Sequence, residues 1–115
     1  MEINNDLNNI LMAAFNEAKN RKHEYLTPEH VLYASLYNES GKSIIESVGA
    51  NIDNLKNKIE DYFQDKLPIV ENDEPLQSEA FKNILERAIW HVTSAQKEEL
   101  DIGDVLVSIF DEEDS

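Results

Sequence analysis

Apolar residues near the N-terminus recur at the three- and four-residue spacing of an amphipathic helix. The stripe has six members: Leu7, Ile10, Leu11, Ala14, Phe15 and Ala18. This pattern predicts a first helix from about Leu7 to Asn20. Adding 74 to each number gives a second apolar stripe: Phe81, Ile84, Leu85, Ala88, Ile89 and Val92.

The offset of 74 also holds outside the stripes, because it pairs Glu24 with Glu98 and Leu26 with Leu100 without a gap. We therefore interpret the chain as an internal duplication of helical hairpins. Thr27 before Pro28 predicts the N-terminus of a second helix, and Asp101 takes the capping position of Thr27 in the second copy.

Between the copies, Ser40 and Gly41 predict the start of a short third helix that Gly49 ends, and Asn51 predicts the cap of a fourth. No segment alternates between apolar and polar residues for long enough to predict a sheet. The predicted fold is one all-α domain over residues 1–115. It has a first repeat at about 5–65, an acidic linker at about 66–77 and a partial second repeat at about 78–112.

The offset pairs Gly41 with Ser115, so the second repeat is predicted to be truncated after its second helix. We expect the chain to be a fragment of a longer protein, with a naturally short chain as the alternative. Apolar surface is then expected near Ile84, Ile89 and Phe110, for a neighbouring molecule to cover.

Composition narrows the classes of function. Ten Lys and Arg against 24 Asp and Glu give a net charge of −14, which argues against nucleic acid and anionic membranes as partners. The chain has no cysteine, which excludes disulfides and thiol chemistry. No signal peptide and no apolar run of about 20 residues is visible, so we expect a cytoplasmic location.

Two motifs suggest chemistry but are incomplete. Gly41-Lys42-Ser43 lacks the earlier glycine of a phosphate-binding loop, since position 36 is Leu36, and a helix-capping turn is favoured. His23-Glu24 begins like a zinc-protease signature, but Thr27 stands where the second histidine would be. We therefore expect a non-catalytic domain without a metal site or cofactor, and an adventitious metal at His23 stays open.

Aromatic and histidine side chains carry three further expectations. Trp90 is predicted to pack in the core, and His91 to be half-buried against backbone. Tyr25 lies in a loop beside Glu24 and is the kind of residue that anchors a protein interface. Tyr33 and Tyr37 are interpreted as rim residues of the core.

The segment from His23 to Leu32 resembles the His-Glu-aromatic-apolar-Thr-x-Glu-His-apolar-Leu motif of the Clp N-terminal domain. The stretch from Phe81 to Val92 is similar to the start of the second repeat in that family, and Asp104 to Phe110 resembles the helix that follows. Together these segments are more similar to the ClpA type of AAA+ unfoldase than to the disaggregase type.

The resemblance implies two pseudo-symmetric four-helix repeats joined flexibly to ATPase rings. It implies no catalysis in the domain itself, with ATP and Mg²⁺ used by the ATPase modules. The implied partners are protein substrates, a ClpS-type adaptor and, through the parent chain, the ClpP protease. The alternative hypothesis is a stand-alone helical repeat domain that self-associates.

The resemblance also implies a docking surface at Glu24, Ser78 and Asn83. Relatives commonly have arginine at the position of Asn83, and Lys82 is the alternative source of that charge. With the loop aromatic added, the predicted partner-binding set is Glu24, Tyr25, Ser78, Lys82 and Asn83. Because His23 and His30 also distinguish the first copy from the second, we expect them beside Tyr25 on the same surface.

Overall fold

The computed structural model describes residues 1–71 and 73–112. This part of the chain has six helices: α1 (Asn5–Asn20), α2 (Pro28–Ser35), α3 (Glu39–Ser47), α4 (Ile52–Lys66), α5 (Glu79–Ser94) and α6 (Ile102–Asp111). It also has four two-residue strands: β1 (Glu2–Ile3), β2 (Tyr25–Leu26), β3 (Leu76–Gln77) and β4 (Glu99–Leu100). The prediction of an all-α domain is confirmed.

The offset of 74 residues reappears in the backbone. Helix α5 begins and ends 74 positions after α1, and β3 and β4 stand 74 positions after β1 and β2. Lys22 and Gln96, which the same offset relates, both have a positive φ, of 61° and 57°. The two hairpins therefore share one local fold, while the predicted pairing of Gly41 with Ser115 lies outside the described residues.

The prediction that no strands form is wrong on a small scale. Strand β1 pairs in parallel with β4, and β2 pairs in parallel with β3. Each repeat therefore contributes its leading strand to the loop strand of the other repeat. Two residues are too few to show an alternating pattern, so periodicity could not detect these strands.

The predicted helix starts are largely confirmed. Thr27 is the N-cap of α2, Asp101 caps α6, and Asn51 caps α4 by accepting a hydrogen bond from Asn54 N–H at 2.9 Å. Helix α3 begins at Glu39, slightly before the predicted start, because the side chain of Asn38 caps it. The side chains of Asn38, Asn51 and Asp101 accept from amides that the helix leaves unpaired.

The core contains most of the two predicted stripes, with corrections in the second. Ile84 is buried (2% exposed) instead of exposed, because it faces inward with Ala88. Trp90 was predicted to pack in the core but is 65% exposed. It lies two residues after Ala88, which turns it about 200° around the helix and away from the core. Ile89 (40%) and Phe110 (45%) are exposed as predicted.

Two other expectations about ring side chains also change. His91 is exposed in the last turn of α5 rather than half-buried, with its ring centroid 5.4 Å from that of Trp90. Tyr33 is buried against Phe63 of α4, whereas Tyr37 is exposed. Across residues 1–71 and 73–112, none of the helices is both long enough and apolar enough to span a membrane.

Candidate functional site

The loop between α1 and α2 lies between two stretches of the acidic linker. On one side, Val70 N–H donates to the Lys22 carbonyl at 2.8 Å, and Glu24 N–H donates to the Pro68 carbonyl at 3.0 Å. On the other side, Leu76 N–H donates to the Glu24 carbonyl at 2.9 Å. These backbone bonds fix the loop against the start of the second repeat.

The first turn of α5 continues this arrangement. Ser78 N–H donates to the Leu26 carbonyl at 3.0 Å, and the Ser78 hydroxyl accepts a hydrogen bond from Phe81 N–H at 3.0 Å. Ser78 is therefore both the end of the strand pair and the N-cap of α5. Lys82 and Asn83 follow with exposed side chains.

The predicted partner-binding residues lie close together on this surface. Tyr25 and Ser78 line one shallow groove with Lys82 and a second groove with Asn83. Glu24 lines an adjoining groove, on the side of the acidic linker. The Glu24 carboxylate beside the Tyr25 phenol raises the pKa of Tyr25.

The two histidines of the loop are not on this surface, which corrects the expectation that they mark it. His23 is 3% exposed and His30 is fully buried. Nδ1 of His30 accepts a hydrogen bond from Thr27 N–H at 2.9 Å, so its proton is on Nε2. That N–H donates to Nδ1 of His23, 2.8 Å away. The assigned tautomers therefore leave both rings neutral.

The environment of the pair favours the neutral form. Burial, and next the neighbouring His23, lower the pKa of His30 to about 3. Burial, and next the charge of Arg21, lower the pKa of His23. The ring of Phe63 stacks on His30 with centroids 4.7 Å apart. Among the described residues no group of three or more His, Cys, Asp or Glu side chains could hold a metal ion. The burial of the two rings and the hydrogen bond between them give the pair a structural role beneath the loop.

The second repeat has charged residues at the positions where the first repeat has the buried, neutral histidine pair. The offset of 74 relates His23, Thr27 and His30 to Lys97, Asp101 and Asp104. Lys97 Nζ lies 3.0 Å from an Asp101 oxygen and 2.7 Å from an Asp104 oxygen, in a partly exposed ion-pair cluster. Phe63 covers the first site, and charges there would lose their hydration.

Two related helical hairpins with exchanged strand pairs define an all-helical repeat domain. The chain belongs to the Clp repeat (R) N-terminal domain family, whose model matches residues 2–115. The chain is also similar to a ClpA homolog protein of Fuscovulum blasticum, at 31% identity over 113 residues. This alignment covers 95% of the chain but only 14% of the relative's length.

Solved structures confirm the fold prediction. The Hsp104 N-terminal domain from Candida albicans superimposes with a TM-score of 0.86 at 16% identity, over 99% of this chain and 77% of that chain. The N-domain of ClpV from Vibrio cholerae gives 0.80 at 21% identity, over 93% and 65%. A structure from a malarial protein secretion system gives 0.81 at 25% identity, over 98% and 79%.

Proposed function

We propose that this domain docks proteins for a Clp-type AAA+ unfoldase, without catalysing a reaction itself. It receives protein substrates and binds a ClpS-type adaptor through Glu24, Tyr25, Ser78, Lys82 and Asn83. The parent chain would use ATP and Mg²⁺ in its ATPase modules and deliver substrates to ClpP. The observation that carries the proposal is the pairing of β2 with β3, which brings the two halves of this surface together.

The surface has the properties of a protein-docking site. Its backbone is held by hydrogen bonds on both sides of the loop, so little conformational entropy is lost when a partner binds. Tyr25 supplies an aromatic anchor at the centre. Glu24 and Lys82 place opposite charges on either side of it, which favours one orientation of the partner and accelerates encounter.

The direct test is a titration of a ClpS-type adaptor against the wild-type domain and the Glu24→Lys variant. We expect Glu24→Lys to bind at least tenfold more weakly, a loss of about 1.4 kcal/mol. Glu98→Lys is the matched control, because the offset of 74 places Glu98 at the same position of the second repeat. The control is expected to bind like the wild type. Equal affinity of Glu24→Lys and wild type would remove Glu24 from the site, and a wild-type domain that does not bind would contradict the proposal.

Self-association is the second candidate function, and exposed apolar side chains on the second repeat favour it. Trp90, Val107 and Phe110 are 65%, 53% and 45% exposed. Sedimentation velocity at several concentrations tests this candidate. A tight dimer that ignores the adaptor would favour self-association, whereas a monomer at every concentration would exclude it.

A further inference from the structure

Five of the ten basic residues form salt bridges with carboxylates: Lys19, Arg21, Lys22, Arg87 and Lys97. No salt bridge joins the other five to a carboxylate of the described residues. Lys56 among them lies over the ring of Tyr37, 5.3 Å from its centroid. That leaves Lys42, Lys58, Lys66 and Lys82. In a chain with a net charge of −14, these four lysines carry positive charge that no salt bridge to a described carboxylate offsets, and their positions are informative.

Three of these lysines border one continuous run of grooves. The first groove, of about 690 Å³, lies between α2, α4 and α6 and is lined by Lys58, Tyr62 and Phe110. The second shares Tyr62 with the first and continues to Lys66 and Tyr25. The third shares Tyr25 with the second and ends at Lys82. Lys58, Tyr62 and Lys66 are spaced by four residues and therefore lie along one side of α4.

The run of grooves is locally cationic. Among the described residues, the carboxylates that line it are Glu29, Glu79 and Glu112. Glu112 pairs with Arg87 at 3.3 Å, which leaves two carboxylates against three lysines.

Two other grooves on the molecule carry the opposite charge. One is lined by Glu24, Asp73 and Glu74, of which Glu74 pairs with Lys19 at 3.2 Å. Another is lined by Glu2, Glu98 and Lys97, whose charge is taken up by two aspartates. The cationic run is therefore a local exception on an acidic surface.

We infer that this run binds an acidic peptide segment of a partner protein, one that carries apolar side chains between its carboxylates. The apolar side chains pack beside Tyr62 and Phe110, while carboxylates meet Lys58, Lys66 and Lys82. The inference rests on the proposed function, because it supplies the chemistry of a segment that docks beside Tyr25. The lysines are exposed, so their contribution decreases as salt increases.

Fluorescence anisotropy with two labelled peptides tests the inference. One twelve-residue probe alternates Glu and Leu pairs, and the other replaces every Glu with Lys. We expect the acidic probe to bind the wild-type domain more tightly than the basic probe, and less tightly as salt increases. The triple variant Lys58→Gln, Lys66→Gln, Lys82→Gln is expected to bind the acidic probe at least tenfold more weakly. Lys42→Gln, which removes a lysine outside these grooves, should bind within twofold of wild type.

The outcomes separate this inference from the proposed function. Preference for the basic probe, or equal binding of the acidic probe by wild type and triple variant, would overturn the inference. If the wild type binds a ClpS-type adaptor but not the acidic probe, the docking function stands and the inference fails. If it binds the acidic probe in the expected pattern but no adaptor, the inference about the grooves stands and the adaptor assignment fails. Thermal melts of each variant confirm that binding is compared between folded proteins.

Discussion

His23 and His30 stabilise the loop beneath the proposed docking surface through a hydrogen bond in which the His30 ring donates and the His23 ring accepts. The hydrogen bond between their rings needs a donor on His30 and an acceptor on His23, and a proton added to the accepting nitrogen would set two N–H donors against each other and make His23 a buried cation. Arg21 lies 4.8 Å from the centroid of Phe63, so a positive charge is already close to the pair. The neutral pair is therefore the folded form.

The pair predicts a pH dependence of stability. In the unfolded chain histidine takes up a proton below about pH 6.5, whereas His30 stays neutral in the folded state down to about pH 3. Because the unfolded state then binds more protons, the free energy of unfolding falls on acidification. The loss is up to about 1.4 kcal/mol per pH unit for each such histidine. Urea unfolding between pH 7.5 and 5 measures this slope.

The variant His30→Asn isolates the contribution of one ring. The amide oxygen of asparagine can accept from Thr27 N–H, but the side chain does not titrate. We expect a loss of about 2 kcal/mol at pH 7.5 from the lost packing, and a smaller decline towards pH 5. The control His91→Asn changes an exposed histidine and should keep the wild-type slope. Parallel pH curves for His30→Asn and wild type would contradict the assignment.

Single residues also show where the sequence was insufficient. Both histidines could be recognised as unusual from the motif, but their burial depends on Phe63, 33 positions after His30. Trp90 was predicted to pack in the core, although its helical position already pointed away from the stripe. Periodicity was the better guide in that case, because a helix fixes the direction of each side chain.

At the scale of elements, α3 packs closely on the end of α2 through Gly41. A Cβ atom at position 41 would lie 2.6 Å from the Ser35 carbonyl oxygen and 2.9 Å from the Ser35 Cβ. Ser35 is fully buried and its hydroxyl donates to the Val31 carbonyl at 2.7 Å, so it has little room to move. The glycine is therefore required by the contact between the helices.

The variant Gly41→Ala is predicted to lose about 1–3 kcal/mol of unfolding free energy, because overpacking forces the two helices apart. The gain in helix propensity, about 1 kcal/mol at most, offsets only part of this loss. Ser43→Ala on the exposed side of α3 is the control and should gain a few tenths of a kcal/mol. Chemical denaturation of both variants measures the difference, and a stabilised Gly41→Ala would show that α3 does not pack as described.

Ser78 caps the start of α5 and also belongs to the proposed partner-binding set. Replacing it with alanine removes the cap on Phe81 N–H and should cost about 1 kcal/mol, whereas Ser78→Asp keeps an acceptor and should retain most of the stability. Thermal unfolding compares the two variants. If Ser78→Ala and Ser78→Asp melt together, the capping role assigned to Ser78 is incorrect.

Helices and their caps could be predicted from the sequence where the pattern that indicates them lies within a few neighbouring residues. Helices with a long apolar stripe, and caps such as Thr27 and Asp101, follow from neighbouring residues alone. The offset of 74 predicted the duplication, but not that β1 pairs with β4 and β2 with β3. That exchange depends on contacts between segments that are distant in the sequence. Strands of two residues are too short to show a pattern that would predict such contacts. The docking set came from a family resemblance, and only the fold shows that β3 joins its two halves.

At the scale of the whole molecule, the duplication places an equivalent of the proposed docking surface on the other strand pair. The offset relates Tyr25, Ser78 and Lys82 to Glu99, Asn4 and Asn8. The backbone is the same, since Asn4 N–H donates to the Leu100 carbonyl at 2.9 Å as Ser78 does to Leu26 at 3.0 Å. The second surface thus lacks both the aromatic anchor and the lysine, and a partner that recognises side chains should distinguish the two.

This internal pair of surfaces gives the most direct test of the docking claim. An isotope-labelled domain is titrated with a ClpS-type adaptor, and amide chemical shifts are followed along the whole chain. We predict that the largest changes fall at Glu24, Tyr25, Ser78 and Lys82, with little change at their counterparts around β1 and β4. Changes centred on the counterparts or on the exposed face of α6, or no changes at all, would contradict the account.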